Sequence, residues 1–386
     1  MDDFFIQLAS DSVLAYLQRE GIASPTEIQR QTAPPILEGR DVIGLSETGS
    51  GKTLAYLLPL LAKIDMAVKV PQAVVLAPTR ELALQVCRVA ADAGASAGLF
   101  IGGASISRQL EVLRCKPRLI VGSPGRILEL NRMKKLTMHH VKTMVIDEAD
   151  RLLDADNIAD LRAVVKTTRR DRQLLFFSAT MDHAALKTAE SLAQSPVMIA
   201  SSGKAGLPQA LEHMVFLCEQ RKKIETLRKI VHGAHIQKAL VFLNKPDDLD
   251  LAVKRLNFHG LHTAALLGAA SKHERQKALN DFRAGRVMLL AASDLAARGL
   301  HIDGLTHVIS LDTPENPSFY LHRAGRAGRM GQAGTAITLA TPREMVFLKN
   351  IEKQYGITIA QKEMRLGNIV SCSDQKRIRA CLQNPI

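Results

Sequence analysis

Ten short runs of β-branched and aliphatic residues, each followed by a longer segment of helical period, constrain this chain more than any other feature. Strands that read as apolar on both faces belong to a parallel sheet covered by helices, so the alternation predicts an α/β fold with a mainly parallel sheet and helices on both faces. Five runs lie in the first half: Asp41 to Leu45, Ala73 to Ala77, Arg118 to Gly122, Thr143 to Ile146 and Gln173 to Phe177. The second half repeats the scheme with Ala239 to Leu243, Thr263 to Leu267, Val287 to Ala291, His307 to Leu311 and Thr335 to Leu339. A length of 386 residues exceeds what one hydrophobic core usually supports, which makes two similar domains the first expectation. Between the halves, Ser201-Ser202-Gly203-Lys204-Ala205-Gly206-Leu207-Pro208 has the small residues, Gly and Pro of a hinge. The expected division is therefore 1–200, a linker at 201–208, a second domain at 209–360 and a short basic tail at 361–386.

In such sheets ligands bind at the carboxyl ends of the strands, where each run breaks into a polar or glycine-rich turn. Ser46-Glu47-Thr48-Gly49-Ser50-Gly51-Lys52-Thr53 follows a strand and precedes a helix, the setting a phosphate-binding loop requires, although Ser46 stands where the strict pattern has glycine. The glycines let backbone N–H groups close on phosphates, the helix N-terminus adds its dipole, and Lys52 neutralises the β and γ oxygens. Thr53 is the expected Mg²⁺ ligand. Downstream, the apolar run Val141 to Ile146 ends in Asp147-Glu148-Ala149-Asp150. That arrangement sets Asp147 near the metal and leaves Glu148 to orient or deprotonate an attacking water. Near the other end, His322-Arg323-Ala324-Gly325-Arg326-Ala327-Gly328-Arg329 spaces arginines three apart on what reads as one helix face, suited to phosphate oxygens.

Charge points the same way. The net charge of +13 is uneven: 24 Lys and Arg stand against 22 Asp and Glu in residues 1–200, and 27 against 16 beyond them. A basic half suits a polyanion. With no Trp and only 4% aromatic residues, stacking platforms are scarce, so a nucleic acid would be gripped by its backbone, without sequence preference. Cys87, Cys115, Cys218, Cys372 and Cys381 are scattered, odd in number and never paired as C-x-x-C, which argues against a disulfide framework or a zinc site. No apolar run approaches the ~20 residues that cross a bilayer, and Met1-Asp2-Asp3-Phe4-Phe5 lacks a signal-peptide pattern. A cytoplasmic protein, working without a membrane and as a monomer, is expected.

Taken together and in this order, the blocks resemble the DEAD-box family of RNA helicases over roughly residues 4 to 350, with Asp147-Glu148-Ala149-Asp150 as the signature. The resemblance implies two tandem RecA-like domains, ATP and Mg²⁺ (held by Thr53 and Asp147) as cofactors, RNA as partner, and RNA-stimulated ATP hydrolysis between the domains. Gly21 to Gln29 is similar to the family's Q motif, which implies that Gln29 reads the adenine edge, that Phe4 or Phe5 stacks on the ring, and that Ile22 lies in the same ATP site. Pro78-Thr79-Arg80, Gly102-Gly103 and Ser123-Pro124-Gly125-Arg126 resemble its RNA-backbone contacts in the first lobe. In the second lobe Arg275, Ser293 and Gly299 would add to these. Asp150, Ser178-Ala179-Thr180 and His322 would couple hydrolysis to RNA, and Arg326 and Arg329 would be the finger residues. Two departures stand out. His301 replaces the aspartate that meets the ribose, and Leu267-Gly268-Ala269-Ala270-Ser271-Lys272 replaces His-Gly-Asp-Met-Ser-Gln. An ATP-gated RNA clamp and a DNA helicase of the wider superfamily remain alternatives.

Overall fold

A computed structural model describes residues 2–47, 49–200, 211–267, 272–297, 302, 305–328 and 333–372. The chain divides into two compact units, Met1–Ser202 and Gly203–Ile386. Thr48, Gly299, His301, Arg329, Cys381, residues 268–271 and the expected hinge at 201–208 lie outside the described residues.

The first unit is built on seven parallel strands: β1 (Val42–Leu45), β2 (Ala73–Leu76), β3 (Ala97–Phe100), β4 (Leu119–Gly122), β5 (Thr143–Asp147), β6 (Gln173–Ser178) and β7 (Val197–Ala200), in the order β3-β4-β2-β5-β6-β1-β7. Successive residues of a strand point to opposite faces, and here each face has its own core. Ile43, Val74, Ile120, Met144, Ile146, Leu174 and Phe176 pack on one side. Val42, Val75, Leu119, Val121, Val145, Leu175 and Phe177 pack on the other. Side chains buried this completely contribute roughly 1.5–3 kcal/mol each.

The second unit has eight strands: β8 (Leu211–Leu217), β9 (Ala239–Phe242), β10 (Thr263–Leu266), β11 (Leu289–Ala292), β12 (His307–Ser310), β13 (Gly334–Ala340), β14 (Ile359–Arg365) and β15 (Asn368–Ser371). Their order is β10-β11-β9-β12-β13-β8-β14-β15, parallel except for the last pair. Alternation again feeds two cores, Leu240, Phe242, Leu290 and Val308 on one face, Val241, Leu289, Ile309 and Ile337 on the other.

All ten expected strands are present within a residue or two, and five further strands join them. One corrects an expectation. The stretch from 361, expected as a short basic tail, is as far as Ser371 the greater part of a hairpin on the sheet edge. Its two-residue turn, Leu366-Gly367, has φ of 48° and 82°, as a type I′ hairpin turn requires.

Candidate active site

The strand order sorts the sequence motifs spatially. Adjacent strands β5, β6 and β1 end in Asp147, Ser178 and the 46–53 loop, while adjacent strands β3, β4 and β2 end beside Gly102, Ser123 and Pro78. Because all are parallel, every motif of this unit emerges at one end of one sheet.

At the first cluster, Gly49 and Gly51 take φ of 85° and 91°, left-handed values that let the loop turn into the helix Lys52–Lys63. Lys52 Nζ donates to the carbonyls of Ser46 (2.5 Å) and Glu47 (2.6 Å), so the ammonium is folded back over the loop. Ser46 N–H donates to Ser178 O at 3.1 Å, tying the loop to the coupling segment. Ser178 Oγ lies 2.6 Å from Asp150 Oδ1 and 2.8 Å from the Thr180 carbonyl, which joins three of the expected coupling residues. Burial raises the Asp150 carboxyl, against the hydrogen bond from Ser178. Glu47 is raised by burial as well.

Asp147 is 4% exposed and its carboxyl is pushed up to about 6, by burial first and by the Glu148 charge, against the Tyr56 hydrogen bond and Lys52. Tyr56, one helical turn beyond Lys52, donates its hydroxyl to Asp147 Oδ2 at 2.7 Å, with the Thr53 side chain near the same phenol. Thr53 and Asp147 thus converge on one phenol, which sequence reasoning missed; the only signal was an i,i+4 spacing from Lys52. A hydroxyl and a carboxylate meeting at one point beside a phosphate-binding loop are the hard oxygen donors Mg²⁺ prefers, so these residues fit the ion.

Glu148 follows with φ 46° and ψ 54°, a left-handed conformation that turns its side chain off the strand line. Its Oε2 is buried, accepts no hydrogen bond among the described residues and sits 3.6 Å from Arg151 Nε. A carboxylate oxygen in that condition is costly unless it has work to do.

The helix Glu27–Leu37 begins with a capping box between Thr26 and Gln29. Gln29 is 2% exposed; its Oε1 accepts from Thr26 N–H at 3.0 Å and its Nε2 donates to the Gly51 carbonyl at 3.1 Å. The amide is therefore held against the phosphate loop. Of the two aromatic candidates, Phe5 is fully buried, leaving the half-buried Phe4, which packs against the same small core as Ile22 and has the Arg30 guanidinium 5.9 Å from its ring centre.

In the second cluster, Thr79 caps the helix Arg80–Asp92, and Arg80 Nη1 lies 3.0 Å from where a Cβ on Gly103 would be. Ser123 N–H donates to Phe100 O at 3.0 Å, and Arg126 reaches the Ala104 carbonyl (3.0 Å) and Glu129 (2.8 Å). Gly125 approaches Asp160. The structure thus gathers Arg80, Gly102, Gly103, Ser123 and Arg126 around neighbouring strand ends.

The second unit departs from expectation. The helix Pro317–Ala324 stops at its Gly325 cap, so Arg323 and Arg326 do not share one helix face. Arg323 is 1% exposed and purely internal. It donates to Asp294 (2.8 and 2.6 Å), Asn244 Oδ1 (2.7 Å) and the Asp312 carbonyl (2.7 Å), over the Phe242 ring. Those partners sit at the carboxyl ends of β9, β11 and β12. His322 and Arg326, on either side, are half-exposed. Arg275 Nη2 donates to Ala296 O at 2.7 Å, beside Ser293, whose hydroxyl accepts from Ala296 N–H.

Residues 26–189 match the DEAD/DEAH box helicase family, and residues 222–331 match the helicase conserved C-terminal domain. The chain is 48% identical to the DEAD-box ATP-dependent RNA helicase CshC of Bacillus cereus, over 92% of this chain and 91% of that protein. It is 39% identical to the probable ATP-dependent RNA helicase YfmL of Bacillus subtilis, over 92% and 96% respectively. Among solved structures, S. cerevisiae Dbp5 bound to RNA and ADP BeF3 matches with a TM-score of 0.84 at 27% identity, covering 92% of this chain and 95% of that one.

Proposed function

Since the chain belongs to the DEAD-box family of ATP-dependent RNA helicases, we propose that it couples ATP hydrolysis to local separation of short RNA duplexes or to remodelling of RNA–protein complexes. ATP lies with its phosphates on the 46–53 loop, where Lys52 exchanges loop carbonyls for β and γ oxygens. Thr53 and Asp147 would hold Mg²⁺, which when bound would neutralise phosphate charge. Gln29 meets the adenine while bracing Gly51, and Phe4 with Ile22 flanks the ring.

Hydrolysis needs a base and transition-state charge. Glu148 takes the proton of the attacking water, which adds to the γ-phosphorus as the bond to the ADP oxygen breaks, releasing ADP and phosphate. Arg326 and Arg329 neutralise the transferring group once the second unit engages, and His322, Asp150, Ser178 and Thr180 make that engagement depend on RNA. Pro78, Arg80, Gly102, Gly103, Ser123, Gly125 and Arg126, with Arg275, Ser293 and Gly299, grip phosphates and 2′-hydroxyls, which favours RNA over DNA. No helix among the described residues is long and apolar enough to cross a membrane; a cytoplasmic, monomeric enzyme belongs to the same proposal.

The buried Glu148 Oε2, which accepts no hydrogen bond among the described residues and has Arg151 Nε 3.6 Å away, is the observation that carries this reading. Glu148→Gln is expected to bind ATP and RNA normally while RNA-stimulated turnover falls about 100-fold or more, the scale of losing a general base. Near-normal turnover in that variant removes Glu148 from the role.

A further inference from the structure

The catalytic motifs of the second unit occupy the carboxyl ends of its strands. Its opposite pole has a separate character. Parallel register sets the turns preceding β9, β10 and β11 side by side: Ala239 N–H donates to Met288 O at 3.1 Å, and Met288 N–H to His262 O at 2.8 Å. The three stretches are 235–238, 254–262 and 283–288. They carry five Lys or Arg (Lys238, Lys254, Arg255, Arg283 and Arg286), three His and no Asp or Glu. Asp281, just before the third stretch, pairs with Arg286 at 2.6 Å; one carboxylate against five cations still gives the pole a positive charge.

Within this field stands Phe258, 87% exposed and the only Phe or Tyr among the described residues left largely in solvent. It ends the helix Pro246–Phe258, with Arg255 one turn back and Leu251 two turns back along the same stripe, and His259 meets its ring edge-on at 5.4 Å. Leaving a phenyl ring in water forfeits its burial energy. An aromatic face bordered by cations is what a single-stranded nucleic acid recognises, base on ring and phosphate on guanidinium. An acidic peptide would use the cations but gain less from a lone flat ring, so the pairing favours RNA.

We propose that this pole is a second, auxiliary binding surface for single-stranded RNA, with Phe258 stacking a base and Arg255 holding a flanking phosphate. Four residues of strand, roughly 13 Å, separate it from the carboxyl-end motifs, so it engages RNA that extends beyond the catalytic-face site. It would anchor the enzyme near its substrate and leave the chemistry unchanged.

The test uses the full chain and two labelled uridine oligomers, of about 10 and about 30 nucleotides, the shorter chosen to fill one site only. Phe258→Ser with Arg255→Ser is expected to weaken binding of the longer oligomer about tenfold. For Arg255→Ser alone, the slope of log affinity against log salt should fall by about 0.7. Affinity for the shorter oligomer, and turnover saturated with it, stay at wild-type values, which also checks the helicase reading separately. Both substituted residues are exposed, so folding is not at stake. Equal loss with both oligomers would place these residues in the catalytic-face site, and no loss with the longer one would leave the pole to a protein partner; either result overturns the proposal.

Discussion

At the ends of β5 and β6 the first unit buries carboxylates, whereas at the ends of β9, β11 and β12 the second buries an arginine. Asp147 and Asp150 are raised by burial, which means that the fold disfavours their charged forms and that cations brought to the site relieve the cost. Arg323 is already matched by Asp294, Asn244 and the Asp312 carbonyl. The same scaffold thus holds an electrostatic imbalance in one unit and a settled network in the other. That difference separates two arginines of one motif: Arg323 is sealed inside the network, while its neighbour Arg326 stays half-buried.

Breaking the settled network should produce the largest effect. Arg323→Met leaves the half-buried Asp294 without its main partner and is expected to cost about 3 kcal/mol, seen in urea as early unfolding of the second unit, with the first unit's transition unmoved. Adding Asp294→Leu should recover much of the loss, because the uncompensated charge goes too. If the single variant is as stable as wild type, the contrast between the units fails.

The second unit also answers to acid. His213, on β8 with its Nδ1 2.8 Å from the Tyr320 hydroxyl, is lowered to about 4 by burial. A folded value below the ordinary 6.5 means the neutral ring is favoured: its contribution is complete above pH 6.5 and is lost as pH falls through about 4. Stability should therefore drop by up to about 3 kcal/mol across that window. His213→Gln should flatten the profile in differential scanning calorimetry, and an unchanged slope would show that other groups titrate.

Gly51 allows a smaller perturbation of the unbalanced site. Its φ of 91° costs an L-residue roughly 1–2 kcal/mol, and a Cβ would collide with the Gln29 amide. Gly51→Ala should lower the melting temperature by a few degrees and weaken nucleotide binding about tenfold by shifting the loop. Combining it with Gln29→Ala removes the collision, so the two losses should add to less than their sum. Strict additivity would mean that Gln29 does not brace the loop.

The five strands that patterning missed show what an apolar run cannot report. β3, Ala-Gly-Leu-Phe, follows small residues that look like a turn, and β7 alternates half-buried and exposed positions. β8 lies between β13 and β14, yet Glu212 and His213 interrupt its apolar run, and His213 is tolerated inside only through its bond to Tyr320. The nucleotide loop and the Asp-Glu pair were legible because local backbone chemistry makes them. Arg323 and Arg326 look alike in sequence, and only packing from three strand ends distinguishes them. The sequence motif points Gln29 at a nucleotide, but gives no sign of its hydrogen bond to Gly51, 22 residues away.

The β14–β15 hairpin was hidden for a reason that suggests the mildest test. Patterning recognises a two-residue I′ turn by Asn-Gly or Asp-Gly, since both positions need positive φ. Here Leu366 takes the first position, with φ 48° and its side chain wholly in solvent, so it carries the backbone cost of the turn without gaining burial. Asparagine adopts that conformation far more readily. Leu366→Asn should stabilise the second unit by about 0.5–1 kcal/mol and slow amide exchange in Met364 to Ile369, while RNA-stimulated turnover is unchanged. A loss of stability instead would mean that Leu366 contributes through packing, and that this edge is held by contacts rather than by its turn.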